Sequence, residues 1–229
     1  MRSPFTRKTL SFLRALKRNN DREWFRAHKA AYEEHVRAPM VELLAQLAED
    51  FRSFAPEFIA DPKVSLFRIY RDTRFSADKS PLKTHIGAHF PHRAMRKRGA
   101  GLYLEIAPRW VWIGGGLYMP ETSDLQAIRE HIAAHHRRLQ RIVEAKTFCR
   151  RVGGLHGAQL TRVPRGFLKD HPAATYLRFR QFLAAREHPA EFAYHPRFYP
   201  EVLAVLREVA PLARFLNEPL LNRPVDPLV

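Results

Sequence analysis

One cysteine, Cys149, stands in a chain of 229 residues, so no disulfide can form within it. A lone thiol without a partner points to a reducing, cytoplasmic setting, and its ordinary role is that of a small buried apolar side chain. Acidic residues are also scarce: 23 Asp and Glu stand against 39 Lys and Arg, a formal net charge of +16. Long hydrophobic runs are missing. Nothing approaches the roughly 18 consecutive apolar residues of a membrane helix. The opening MRSPFTRKTLSFLRAL is broken by Arg7, Lys8 and Arg14, so it lacks the apolar core of a signal peptide. Three nucleotide and nucleophile signatures, G-x-x-x-x-G-K-[ST], G-x-G-x-x-G and G-x-S-x-G, do not occur, which removes the common ATP, NAD and serine-hydrolase readings. Gly114–Gly115–Gly116 has neither the lysine nor the helix start of a phosphate loop. Nothing in the chain asks for a cofactor or a metal. His131 and His135 have the i, i+4 spacing of zinc ligands, but Ile-Ala-Ala lies between them and no cysteine pair is near, so they read as a solvated basic helix face. His85, His89 and His92 are too loosely spaced to suggest a metal site.

Hydrophobic residues make up 45% and charged residues 27%, an ordinary globular balance. The length suits a single domain over 1–229, with helices over about 5–60, a sheet core over about 63–120, helices over about 121–217 and a short proline-rich tail. The expected class is α+β, with a small, mostly antiparallel sheet packed by N-terminal and C-terminal helices. TLSFLRALKRNN predicts a helix through its Leu10, Leu13 and Leu16 spacing, and Asn20 with Glu23 marks the start of a second. Pro39 predicts the opening of a third, whose apolar stripe is Met40, Leu43, Leu44, Leu47 and Phe51. VSLFRIY at 64–70 predicts a strand, and residues 101–113 a hairpin turning at Pro108–Arg109, with the following glycines at a bulge or close backbone approach. Ser123 and Gln126 suggest a capping box for a helix carrying Leu125, Ile128, Ile132, Leu139 and Ile142. Further helices are expected after Pro172 and over about Pro200–Leu216.

The positive charge is concentrated. Residues 67–99 and 133–171 each hold 9 Lys/Arg against 2 Asp/Glu, +7 apiece, leaving +2 for the rest. Such clustering implies an anionic partner. Within FRIYRDTRFSADKSPLKTH, the cations Arg68, Arg71, Arg74, Lys79 and Lys83 suit a phosphate or carboxylate, since guanidinium groups bind both in bidentate fashion. Asp72 is placed to hold one guanidinium, and Thr84 and His85 add a hydroxyl and a titratable ring. On the hairpin, Glu105 lies among alternating apolar positions beside Tyr103. It reads either as a partner for an arginine or, with His85, as an acid/base candidate. The main expectation is a site for a phosphorylated or carboxylated small molecule, without a membrane role. The alternatives are a nucleic-acid surface with stacking by Phe75, Phe90, Trp110 and Trp112, or arginines that only pin the fold as a salt-bridge lattice.

Three motifs, NNDREWF, FRIYRDTRFSADKSPLKTHIG and RVPRGFLKDHPA, occur in that order, and with them the chain from Phe12 to Leu216 resembles the family catalogued as domain of unknown function 2461. The matching positions include Asn19, Asn20, Trp24 and Phe25, then Arg68, Arg71, Asp72, Arg74, Lys79, Pro81 and Lys83, then Arg165, Gly166, Asp170 and His171. Leu82 departs from the pattern, where an aromatic residue is more usual. The resemblance implies a single α+β domain of a cytosolic, bacterial-type protein and no particular activity. It adds Arg165 and His171 to the anion-binding candidates.

Overall fold

The computed structural model describes residues 3–74 and 76–221. Its architecture is α+β: four strands form one antiparallel sheet in the order β1-β2-β3-β4, with β1 Ile86–Phe90, β2 Gly101–Ile106, β3 Trp110–Leu117 and β4 Phe182–Pro189. The chain gathers into two compact units. One comprises Met1–Phe90, Tyr103–Ile113 and Glu187–Ala204; the other comprises Pro91–Leu102, Gly114–Arg186 and Val205–Val229.

In the first unit, the helix Arg7–Arg18 buries Leu10, Phe12, Leu13 and Leu16, as their spacing demands. Thr6 caps it and exchanges hydrogen bonds with Thr9. The next helix, Arg22–Ala27, is capped by Asp21, whose Oδ1 accepts from Trp24 N at 2.7 Å. This corrects the expectation that Asn20 caps it: Asn20 is engaged elsewhere, and the adjacent aspartate serves equally well.

The stripe Met40, Leu43, Leu44, Leu47 and Phe51 is buried, but its helix does not open at Pro39. Helical residues Lys29–Tyr32 run through a π turn, Glu33–Arg37, into Ala38–Phe54. The reason is local. Proline has no N–H for the carbonyl four residues back, which here belongs to His35. Thr9 Oγ donates to that carbonyl at 2.7 Å, so the proline is accommodated within the helix. Each large apolar side chain so buried stabilises the unit by about 1.5–3 kcal/mol. Phe51 meets Phe90 of β1 edge-on at 5.2 Å, and Ile86, Ala88, Leu104, Ile106, Val111 and Ile113 are buried with them.

The hairpin closes where expected: Ala107 N donates to Trp110 O at 2.9 Å around Pro108–Arg109. The strand does not stop at the glycines but continues to Leu117. Close backbone approach requires them, since a Cβ on Gly116, at φ +122°, would lie 1.9 Å from Phe182 O. The expected strand over 64–70 is a correction of another kind. Asp61 caps a helical turn, Pro62–Ser65, and only Leu66 and Tyr70 make isolated bridges.

In the second unit, Thr122–Val143 forms a helix that kinks at His135. The Ser123–Gln126 box is not made: Glu121 is the cap residue, and Gln126 donates to Glu130 instead. Ile128, Ile132 and Leu139 are buried as expected, while Leu125 and Ile142 are half-buried. Between Pro172 and Phe182 only Ala174–Leu177 is helical; the alanine-rich stretch beyond it becomes β4, with Phe182 and Ala184 buried. The helix expected to end at Leu216 runs from Phe198 through Pro219 to Leu221, and the rest of the tail lies outside the described residues. Cys149, expected to be buried, is exposed. No helix among the described residues is long and apolar enough to cross a membrane.

Candidate functional site

The basic motif is folded back on itself. Residues 66–71 run antiparallel to residues 81–88. Leu66 bridges Ala88, Phe67 N donates to Gly87 O at 3.1 Å, Lys83 N to Ile69 O at 2.8 Å, and Arg71 N to Pro81 O at 2.9 Å. The two arms are unequal. From Leu66 to Tyr70 is four residues, whereas from Leu82, the partner of Tyr70, to Ala88 is six. The two extra residues are taken up in a bend at Thr84 and His85. A bulge of this sort re-aims side chains, and here it sets Lys83 and His85 beside the half-buried face of the hairpin.

Asn20 holds the bulged arm. Its Oδ1 accepts from Leu82 N at 3.1 Å, and its Nδ2 donates to Leu82 O at 2.9 Å. The side-chain amide thus takes the place of a neighbouring strand. Leu82 and Ile69 are buried, which anchors both arms.

The tip of the motif uses its own charges. Arg74 donates to both carboxylate oxygens of Asp72, at 3.1 and 2.8 Å. Arg71 bonds Asp78 and reaches Ser76 Oγ at 3.3 Å, while Lys79 Nζ donates to Thr73 O at 3.0 Å. Hydrogen bonds from Arg74 hold the Asp72 carboxyl down at about 2. The Asp78 carboxyl lies well below the usual range, first through Ser80 and then through Arg71. Two cations of the motif are left. Neither Arg68 nor Lys83 has a side-chain hydrogen bond or ion pair among the described residues, and Lys83 Nζ rests over the Phe67 ring, 4.6 Å from its centroid. Burial, and then the charge of Arg68, push the Lys83 ammonium below its ordinary pKa, against the opposing pull of Glu105.

The hairpin supplies the other half. Of the two roles expected for Glu105, an arginine partner or an acid/base group with His85, the first is not met: it accepts from Tyr103 Oη at 2.8 Å and Trp110 Nε1 at 3.0 Å. His85 Nε2 lies 3.8 Å from Glu105 Oε2, with the two side chains 30% and 15% exposed. Burial pushes the His85 ring below its usual pKa; Glu105 pulls it up, and Lys83 and Arg71 push it further down. Burial and the adjacent carboxylate also raise the Tyr103 phenol, so it stays a donor to Glu105. Phe67, Tyr103 and Trp112 stand in a row, with centroids 6.1 and 5.5 Å apart. Gly87 lies beneath them, where a Cβ would meet Tyr103 Oη at 3.0 Å.

The structure therefore brings together Arg68, Lys83, His85, Tyr103 and Glu105, with Arg71 at the margin. Asp72, Arg74 and Lys79 belong to the tip. Arg165 and His171 belong to the second unit. Arg165 is exposed in a turn, and His171 accepts from Ala173 N at 3.0 Å and lies edge-on to His136. His131 and His135 pack on each other, His131 also against Phe215 and 3.2 Å from Glu218. Phe75 lies outside the described residues. Sequence reasoning missed Phe67 and the role of Asn20. The alternation Tyr103, Glu105, Trp110, Trp112 around a two-residue turn gave the hairpin half; nothing local announces a side chain that bonds a backbone 62 residues away.

No curated protein and no solved structure matches the chain. A family model does, over residues 8–215. That span takes in both arms of the basic motif, Asn20 and the hairpin, and by it the chain belongs to the family described as conserved hypothetical protein (DUF2461).

Proposed function

We propose that the protein binds a phosphorylated or carboxylated small molecule at the face formed by the two arms and the hairpin, with Arg68 and Lys83 as its anion contacts. One observation carries this reading. Arg71, Arg74 and Lys79 are used within the motif, while Arg68 and Lys83 have no such partner among the described residues. Lys83 is moreover held half-buried, where an unpaired charge is unfavourable unless a ligand completes it. His85 and Glu105 adjoin this position and supply an imidazole and a carboxylate in hydrogen-bonded surroundings. A cytoplasmic location belongs to the same proposal and rests on the single unpaired thiol.

The test is thermal denaturation with inorganic phosphate, pyrophosphate, citrate and short single-stranded DNA at two salt concentrations. A ligand at 100 times its dissociation constant adds about 2.7 kcal/mol. A compact anion should stabilise the wild type and Arg74→Ala, but not Lys83→Ala. Stabilisation by DNA alone, collapsing steeply as salt rises, would replace this reading with a nucleic-acid surface.

A further inference from the structure

We infer that Lys83 is a carbonyl-reactive amine, which forms an imine with an anionic aldehyde or ketone while His85 carries the protons. The inference rests on the anion-binding reading for the charged part of the ligand and on separate observations for its carbonyl. Lys83 Nζ makes no hydrogen bond or close ion pair among the described residues, so no bonded group need be displaced for it to attack. It is half-buried and fixed over Phe67, on an arm held by the Asn20 clamp at the preceding residue. A cationic neighbour, Arg68, and partial burial both favour the neutral, nucleophilic amine, the means by which such lysines are activated. The Glu105 carboxylate and the Phe67 ring oppose this by favouring the ammonium, the ring only weakly because it is 40% exposed. His85 sits two residues on, its ring biased by burial toward the neutral form that accepts a proton, and Glu105 at 3.8 Å stabilises the imidazolium once formed.

The step balances without an oxidant or reductant. The lone pair of Nζ adds to the carbonyl carbon as the C=O π pair moves to oxygen. His85 takes a proton from the nitrogen, the oxygen gains one from solvent, and a carbinolamine results. The nitrogen lone pair then expels the hydroxyl group as water, with the proton returned by the imidazolium, and the remaining N–H proton goes to solvent. The net change is amine plus carbonyl to imine plus water. Arg68 is placed to hold the phosphate or carboxylate of the ligand while this happens.

Pyridoxal 5′-phosphate is a suitable probe, since it carries both an aldehyde and a phosphate. The full-length protein is treated with a small excess and with cyanoborohydride, which traps the imine as a secondary amine, and the labelled residues are mapped by mass spectrometry. Lys83 should label about tenfold faster than the exposed Lys97 and Lys169, equivalent to about 1.4 kcal/mol of preference. Excess inorganic phosphate should suppress this labelling, His85→Gln should slow it, and Arg74→Ala should leave it unchanged. Equal labelling of Lys83 and the exposed lysines overturns the inference. If phosphate still stabilises the wild type in that case, Lys83 is an anion contact only and the binding reading stands. If Lys83 labels rapidly but phosphate does not compete, the amine is reactive and the anion reading fails.

Discussion

Two asparagines clamp a single residue of backbone by both its N–H and its C=O, in different surroundings. Asn217, 1% exposed, accepts from Ala100 N at 2.7 Å and donates to Ala100 O at 2.9 Å. Asn20, half-buried, does the same to Leu82 at 3.1 and 2.9 Å. The hydrogen bonds are alike. What differs is what replaces them when they are lost. Asn217 and the equally buried Ala100 are shut off from solvent, whereas water can reach the half-buried Asn20. The first clamp therefore serves stability, and the second serves position, because Leu82 immediately precedes Lys83.

Truncation separates the two roles. Asn217→Ala leaves a buried donor and a buried acceptor unpaired beside a new void, and should cost about 2–5 kcal/mol. Out of a total of about 5–15 kcal/mol for a folded domain, that is a large fraction. Denaturant titration reads it directly, and a loss below about 1 kcal/mol, within the net worth of one ordinary hydrogen bond, would mean the two clamps are equivalent after all. Asn20→Ala should cost only about 1 kcal/mol in the same titration, yet abolish stabilisation by the compact anion. Asn20→Asp keeps the acceptor for Leu82 N, loses the donor to Leu82 O, and should fall between. Normal anion binding by Asn20→Ala would remove its positioning role.

The contrast also shows which parts of the molecule can be read from sequence. The helix stripes and the 101–113 hairpin follow from periodicity, a property of neighbouring residues, and they appear where expected. Residue chemistry drew attention to His85, Tyr103 and Glu105, and these do lie together. Features set by distant partners were not legible. Asn20 looked like a helix cap because its partner, Leu82, is far along the chain. The stretch from Pro172 to Ala185 reads as helical because alanine and arginine favour helices; from Phe182 on, pairing with the glycine-rich β3 overrides that local preference. The bend at Thr84 and His85 has no proline or glycine to mark it and arises only from the mismatch of the two arms.

The hairpin half of the site can be probed by Trp110→Phe, which removes one of the two donors to Glu105 while keeping most of the ring packing. With Tyr103 still donating, the loss should be about 1 kcal/mol. A change well beyond that would show that Trp110 supports more than the carboxylate.

Acidification bears on the same face. Burial holds the folded-state pKa of His85, and likewise of His89, below the ordinary 6.5. Between the two values the unfolded chain binds more protons than the native one, so these rings contribute stability that is complete above pH 6.5 and lost as pH falls through their folded values. Asp72, held at about 2, does not titrate in that window. Melting temperature should fall from pH 7 towards pH 5, and His85→Gln with His89→Gln should flatten the fall. A slope that survives both substitutions would assign the effect to other groups.

The smallest effect is expected at the tip. Arg74 and Asp72 are bonded to each other in full solvent, where the exchange of water contacts for an ion pair gains little. Arg74→Ala should therefore leave the melting temperature and anion binding within error, even though Arg74 carries the same charge as Arg68 six residues earlier. The difference is whether a carboxylate in the motif already occupies the guanidinium. A marked loss of anion binding in Arg74→Ala would mean that the Asp72 pairing opens to admit the ligand, and that the tip, not the arms, is the place where the anion binds.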